Sequence, residues 1–305
     1  MKKKKIAKTF LSVVLVSAIV LVADVGEVFN HIARTRLRWY GLAVAVFLTT
    51  YPAAALRWKR LSSSIGYDLS LGESFRLVAV SYSFNKMFPG NAGDVVRSKV
   101  LQRYREVDSH GEVLGIVALE RYFTVLALLT VVMASLFFIK LPFPGVKWII
   151  LLFTAAAAGL SLGLFLGDDS EKWLLDRIPV GSGFLEDAMD GYRSSSRKDL
   201  VLNFACSLYI RTAEAVVFFL FVLSLSSGLN FWEGAFVTSV MSLVSALPIS
   251  PAGIGPVDAT GTGLLVVAGL SYSAALSLVM LQRSVGLVLM ALIGVLVFLA
   301  EEHLL

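Results

Sequence analysis

Cysteine and histidine are scarce in this sequence, and neither occurs in a pattern typical of a catalytic or metal site. Cys206 is the only cysteine among 305 residues, which excludes an internal disulfide and a cysteine metal cluster. The histidines are scattered near the ends of apolar segments, at His31, His110 and His303. No nucleophile–base set, phosphate-binding loop or paired-carboxylate arrangement is recognisable, so we expect neither an enzyme nor a bound cofactor.

Charged residues are also few, and apolar residues take their place. The chain is 57% hydrophobic and 16% charged, whereas a soluble domain is about 45–50% apolar and about 25% charged. This composition predicts a single integral membrane domain over residues 1–305, without room for a soluble catalytic domain of ordinary size. The net charge of +5 comes from lysines and arginines at segment ends, which suits anionic lipid headgroups rather than nucleic acid.

Long apolar segments predict an all-α bundle of about six membrane-spanning helices. They are residues 6–22, 39–56, 113–139, 148–166, 200–225 and 274–300. Pro52 predicts a kink in the second span, and Arg57, Lys59 and Arg60 predict its cytoplasmic end. The polar connector 167–198 is either a solvated link or an amphipathic surface helix. Six crossings place both termini in the cytoplasm, and we expect the plasma membrane of a prokaryote.

Two proline- and glycine-rich stretches interrupt apolar segments that are too short to span. They read FPGNAGD at residues 88–94 and PISPAGIGPVD at residues 248–258. Spanning takes about 20 residues, and a broken backbone is tolerated at membrane depth only inside protein or beside a wet cavity. The two stretches therefore predict two re-entrant broken-helix hairpins.

The same order of features occurs in both parts of the chain. Each part begins with an acidic residue, followed by an apolar stretch and a proline- and glycine-rich break. An aspartate and then an arginine follow the break: Asp94 and Arg121 in the first part, Asp258 and Arg283 in the second. This order predicts an inverted repeat with a site near the middle of the membrane. The approximate halves are residues 39–139 and 200–300.

Five charged residues lie inside apolar segments, where each costs about 2.5–3.5 kcal/mol unless it faces a partner or water. They are Glu120, Arg121, Arg211, Glu214 and Arg283. We predict that Arg121 and Arg283 together hold a phosphate, because guanidinium groups bind phosphate through two parallel hydrogen bonds. Free N–H groups at the broken helices would assist them. Glu120 would balance charge or recognise a cationic headgroup.

The roles of the other candidates stay open at this level. Asp94 and Asp258 either cap the helices that they begin, or contact the arginines or the headgroup. Arg97 either reaches a headgroup or anchors at the membrane interface. Arg211 and Glu214, three positions apart on one helical face, form either a structural ion pair or a substrate contact.

The sequence resembles the lysylphosphatidylglycerol synthase transmembrane family, also called flippase-like integral membrane proteins, over about residues 6–299. The resemblance rests on residues 88–94 and 248–258 and on Arg97, Glu120, Arg121 and Arg283. The family usually has glutamate where this chain has Asp94 and Asp258. Its best-understood members add a soluble aminoacyl-transfer domain, which is absent before the chain ends at Leu305. The resemblance therefore implies lipid translocation rather than synthesis.

The first functional hypothesis is a flippase for a phosphate-bearing lipid, either a phospholipid or a polyprenyl-phosphate-linked lipid. Its partners are membrane lipids with anionic or phosphate headgroups, and a homo-oligomer is compatible with the sequence. A second hypothesis is an intramembrane enzyme acting on lipid phosphates or glycosyl carriers. A third is an ion-coupled carrier of a small anionic solute.

Overall fold

The computed structural model describes residues 25–87, 92–105, 110–139, 196–246 and 253–300, with residues 145, 148, 150–152, 154–156 and 159. Every major element in this part of the chain is an α-helix, which confirms the predicted all-α membrane bundle. The helices are α1 (Val25–Ala33), α2 (Leu37–Leu48), α3 (Thr50–Ser64), α4 (Leu71–Met87), α5 (Ala92–Arg105), α6 (His110–Phe138), α7 (Arg197–Leu225), α8 (Phe231–Ala246), α9 (Pro256–Val267) and α10 (Tyr272–Ala300). The first predicted span, most of the fourth span and of the polar connector, and the centres of both breaks lie outside the described residues.

Three described helices are long and apolar enough to cross a bilayer. They are Leu37–Ser64, which comprises α2 and α3, Gly115–Phe138 within α6, and Arg197–Leu225, which is α7. They match the second, third and fifth predicted spans. Helix α10 contains 29 residues, as α6 and α7 do, and it fits the sixth predicted span. The total of six crossings and the side on which the termini lie stay predictions.

The second span is interrupted at Thr49, one turn before Pro52, where the sequence predicts a kink. Helix α2 ends at Leu48 and α3 begins at Thr50, because proline has no N–H to donate to the carbonyl of Leu48 and its ring crowds that carbonyl. The prediction that Arg57 marks the end of this span is wrong. Helix α3 continues to Ser64, and Arg57 is only 3% exposed because it finds a carboxylate inside the bundle.

Each break separates two short helices. Helices α4 and α5 contain 17 and 14 residues, and α8 and α9 contain 16 and 12. At about 1.5 Å per residue, all four are shorter than the roughly 30 Å hydrocarbon core. The lengths agree with broken-helix hairpins, and their entry from opposite faces of the membrane stays a prediction.

The acidic residue at the start of each hairpin caps its first helix. Glu73 Oε2 accepts the N–H of Ser70 at 2.7 Å, and Ser70 Oγ accepts the N–H of Glu73 at 3.2 Å. In the second half, Glu233 Oε2 accepts the N–H of Asn230 at 2.8 Å, and Asn230 Oδ1 accepts the N–H of Glu233 at 3.0 Å. Both are capping boxes, so the two halves begin their hairpins by the same device.

The two halves also pack in the same way. Helices α3 to α6 contact one another in chain order, and so do helices α7 to α10. The first hairpin helix of each half then packs on the last helix of the other half, α4 on α10 and α8 on α6. The contacts of one half therefore correspond to those of the other, and the internal repeat stays a prediction.

Gly93 lets α5 begin directly against the last turns of α4. A Cβ atom at this position would lie 1.8 Å from the carbonyl oxygen of Ser81 and 2.7 Å from its carbonyl carbon. The N–H of Gly93 also donates to Asn85 Oδ1 at 2.8 Å. Any side chain here would push the two helices of the first hairpin apart.

Replacing Gly93 with alanine is expected to lower the thermal unfolding temperature of the purified protein in detergent. Overpacking usually costs about 1–3 kcal/mol, and here the opposing atoms are backbone and cannot rotate away. Gly263→Ala in α9 is the control, because no heavy atom lies within 4 Å of its added Cβ. Equal unfolding temperatures for the two variants would contradict the close contact.

Candidate functional site

Glu120 of α6 binds two buried arginines that come from two other helices. Its Oε1 accepts a hydrogen bond from Arg57 Nη2 of α3, and its Oε2 accepts one from Arg97 Nη2 of α5 at 2.6 Å. All three side chains are almost completely buried. Because ionised groups inside a membrane need partners, Glu120 joins α3, α5 and α6 at one point.

Further contacts fix the two arginines of this group. Arg57 Nη1 donates to Ser207 Oγ of α7 at 2.8 Å and to Thr124 Oγ1 of α6 at 3.2 Å. The guanidinium carbon of Arg97 lies 3.8 Å from the centre of the Trp58 ring, which is a cation–π contact. The group is therefore rigidly held by four helices.

Asp94 connects Arg121 to the same group. Its Oδ2 accepts hydrogen bonds from Arg121 Nε at 3.0 Å and Nη2 at 2.5 Å. Its Oδ1 lies within hydrogen-bonding distance of Ser81 Oγ at 3.3 Å, and of Asn85 Nδ2 and Arg97 Nη2, both at 3.4 Å. Pairing with Arg121, one of the two predicted roles of Asp94, is therefore observed.

These contacts define an arginine cluster of five charged residues. Its members are Arg57, Asp94, Arg97, Glu120 and Arg121. Three guanidinium groups face two carboxylates, which leaves one positive charge in excess. The Nε and Nη1 atoms of Arg97 and the Nε atom of Arg57 are buried without a hydrogen-bond partner. The side chain of Arg121 is 43% exposed, whereas the other four are at most 10% exposed.

The second half has a smaller ion pair at its break. Asp258 Oδ1 accepts a hydrogen bond from Arg283 Nε, and Asp258 Oδ2 accepts the N–H of Gly255 at 3.0 Å. Asp258 therefore performs both of its predicted roles, capping α9 and pairing with the arginine. Arg283 Nη2 also donates to the carbonyl of Gly253 at 3.1 Å. Gly255 has φ +92°, which a residue with a side chain rarely adopts.

Each predicted anion-binding arginine thus contacts the aspartate of its own half. Arg121 binds Asp94, and Arg283 binds Asp258. A single phosphate site formed by both arginines stays a prediction. The described contacts instead bring Arg97 and Glu120 together with the first pair.

The predicted ion pair on α7 is present. Arg211 Nη1 lies 2.7 Å from Glu214 Oε2, and both side chains are partly exposed. A role of this pair in substrate binding stays a prediction.

The sequence analysis did not predict that Arg57 belongs to the site. The spacing of apolar residues in α3 could have indicated it, because it places Arg57 on the buried face of that helix. Buried residues recur on one face of α3 at spacings of three and four, and Arg57 lies on that face. They are Thr50, Tyr51, Ala54, Trp58 and Leu61. Arg60, by contrast, is exposed. The contacts of Ser81 with Asp94 and of Ser207 with Arg57 were not predicted either. A single serine in an apolar helix forms no recognisable sequence motif.

The described cluster lies in a region that matches known membrane proteins. A family model described as the lysylphosphatidylglycerol synthase TM region matches residues 9–294. A UPF0104 membrane protein of Methanothermobacter thermautotrophicus is 21% identical over 97% of this chain and 95% of that protein. A second UPF0104 membrane protein, from Methanocaldococcus jannaschii, is 24% identical over 72% of this chain and 94% of that protein. The glycosyltransferase AglD of Haloferax volcanii is 24% identical over 40% of this chain and 20% of that protein.

Replacing Glu120 with methionine leaves Arg57 and Arg97 without their shared carboxylate. Removing one partner of a buried ion pair costs about 3–5 kcal/mol, so we expect a large fall in the thermal unfolding temperature in detergent. Glu214→Met is the matched control. The Arg211–Glu214 ion pair that it removes is partly exposed, so the unfolding temperature should fall less than in Glu120→Met.

The double variant Glu120→Met/Arg57→Met should be more stable than Glu120→Met alone, because it removes one of the two uncompensated charges. Equal losses in Glu120→Met and Glu214→Met would contradict the proposed importance of this carboxylate.

Proposed function

Because the chain belongs to the lysylphosphatidylglycerol synthase TM-region family, we propose that it moves a phosphate-bearing lipid between the two leaflets of its membrane. The lipid is either a phospholipid or a polyprenyl-phosphate-linked lipid. On this proposal the protein binds and releases the lipid without covalent chemistry. It lies in the plasma membrane of a prokaryote with both termini in the cytoplasm.

The arginine cluster at the first break is the observation that carries this proposal. Charged residues inside a membrane are costly and commonly mark the path of a substrate. Broken helices at corresponding places of two halves are typical of transporter binding sites. An excess positive charge and unpartnered N–H donors among buried side chains suit a phosphate group better than a cation or a neutral sugar.

Arg121 is the residue best placed to meet a headgroup. Its side chain is the most exposed of the cluster, and its Nε and Nη2 atoms already bind a carboxylate oxygen of Asp94. A phosphate would take the place of that carboxylate on the same donors. The lipid tails would stay in the bilayer while the headgroup occupies the polar interior.

The exchanged hairpins offer a route for movement. Helix α4 packs on α10 and α8 packs on α6, so a shift of either hairpin takes place against the long helix of the other half. Such a shift would open the cluster to one leaflet and then to the other. No nucleotide-binding motif occurs in the sequence, so we propose a gradient or simple equilibration as the driving force.

A second candidate function is the processing of a lipid-linked sugar. This chain is similar to 20% of the length of the glycosyltransferase AglD, and that similarity favours this function over the ion-coupled carrier of a small anionic solute. It would use the same arginine cluster to hold the lipid phosphate, but would yield a new covalent product. Incubation of the protein with lipid phosphates and activated sugars, followed by product analysis, separates it from translocation.

The transport proposal is tested by reconstituting the full chain in vesicles with fluorescent phospholipids and polyprenyl phosphates. Movement between leaflets is scored by the fraction of probe that an added quencher reaches. We expect wild-type protein to move at least one lipid much faster than empty vesicles. Arg121→Gln should be about tenfold slower or worse, because a charge-assisted hydrogen bond to phosphate is worth about 1.5–3 kcal/mol.

Arg60→Gln is the matched control, because Arg60 is exposed and lies 3.9 Å from its only described acidic partner, Asp199. It should transport as wild type does, since such surface pairs contribute about 0–1 kcal/mol. The proposal fails if wild-type protein moves no lipid of the panel faster than empty vesicles do.

A further inference from the structure

Helix α7 carries a row of polar side chains on one face, although it is a membrane-spanning helix. Asp199, Asn203 and Ser207 stand at intervals of four, and we call them the polar stripe. Residues four apart lie above one another on the same face of an α-helix. At about 1.5 Å per residue the stripe is about 12 Å long, so it leads from the start of α7 into the hydrocarbon core.

Two contacts show that the polar stripe faces α3. At the start of α7, Asp199 Oδ1 lies 3.9 Å from Nη1 of the exposed Arg60. Two turns further along, Ser207 Oγ accepts a hydrogen bond from Nη1 of the buried Arg57 at 2.8 Å. Asn203 is four positions from each of these two contacts. It therefore lies between an exposed ion pair and a member of the arginine cluster.

The amide of Asn203 is buried without a partner. Asn203 is 1% exposed, and neither its Nδ2 nor its Oδ1 atom has a hydrogen-bond partner in the part of the chain that the structure describes. The same is true of Arg57 Nε. Buried polar atoms nearly always have a partner, and an unsatisfied one is costly. A ligand that both donates and accepts hydrogen bonds would satisfy this amide, whereas an ion of either sign would satisfy only one of its two atoms.

We propose that Asn203 binds water, and that the polar stripe is a path by which water reaches the arginine cluster from the membrane face where α3 ends and α7 begins. Water donates to Oδ1 and accepts from Nδ2, and an internal water typically makes about three hydrogen bonds to buried polar groups. Asn203 and Ser207 are buried between two helices, which favours so small a ligand over a lipid headgroup. This inference goes beyond the proposed function, because it concerns access of water and not the movement of a lipid.

The test measures whether an aqueous silver ion reaches a cysteine placed on the polar stripe. Cys206, the single cysteine of the chain, is replaced by alanine, and Asn203→Cys and Ala205→Cys are made in that background. Ala205 is exposed within the span of α7, so the two positions are at a similar depth but face the bundle interior and the lipid. Thiols that silver has not blocked are alkylated after unfolding and counted by mass spectrometry.

Silver should block Asn203→Cys at least about tenfold faster than Ala205→Cys, because a thiol surrounded by hydrocarbon stays protonated and unreactive. The rates are measured on inside-out and right-side-out vesicles. Lys198→Cys and Arg36→Cys mark the two faces, since Lys198 is exposed at the start of α7 and the N–H of Arg36 donates to Ser224 Oγ near its end. Asn203→Cys should react only from the face of Lys198. Equal rates at positions 203 and 205, or reaction from the face of Arg36, would overturn the proposal.

A second position tests the role of Asn203 itself. Ser207→Cys lies one turn deeper and should react with silver from the same face. Adding Asn203→Leu should abolish this reaction, because leucine offers no hydrogen bond to water, whereas adding Asn203→Gln should preserve it. Equal reaction of Ser207→Cys in all three backgrounds would overturn the assignment of water to Asn203. Since Ser207→Cys keeps the amide, it also tests the path if Asn203→Cys does not fold.

The silver reaction is independent of lipid transport, so the two proposals fail separately. A stripe that silver does not reach, in a protein that moves lipid, contradicts the water path only. A stripe that silver reaches, in a protein that moves no lipid, contradicts the proposed function only.

Discussion

An ionised carboxylate and two guanidinium groups held inside an apolar bundle are the interaction on which the rest of this structure depends. Glu120 contacts Arg57 and Arg97 on separate oxygens, so three helices meet where lipid would otherwise tolerate no charge. The first turn of α5 lies beside this group, because Asp94 in that turn binds both Arg97 and Arg121. The same charges therefore join the helices of the first half and form the site at which we propose that an anion binds.

Local signals account for the part of this fold that the sequence alone predicts. Proline lacks the N–H that an unbroken helix needs, so Pro52 predicts the interruption after Leu48. Glu73 and Glu233 mark the first turns of the hairpins, because capping involves residues three positions apart. Apolar segment length separates the long helices from the short ones. Each of these properties is decided within a few residues of the chain.

Pairing between distant residues accounts for what the sequence does not predict. Arg57 and Glu120 are 63 positions apart, and Arg57 and Ser207 are 150 positions apart. At the end of an apolar segment, Arg57 resembles a residue at the membrane surface, and only the burial of its helical face shows otherwise. The sequence also left open whether Asp94 and Asp258 cap a helix or pair with Arg121 and Arg283. Both roles use the same carboxylate, so the residue type does not distinguish them.

The exchange of hairpins between the halves has a bearing on how such a chain could have originated. On the predicted internal repeat, a polypeptide of half this length would need a second copy to supply the long helix on which its hairpin rests, since α4 rests on α10 and α8 rests on α6. In such a pair of identical copies every substitution would occur twice. Fusion into one gene product lets each copy diverge separately, so one half can keep Arg97 and Glu120 while the other accumulates Gly261 and Gln282.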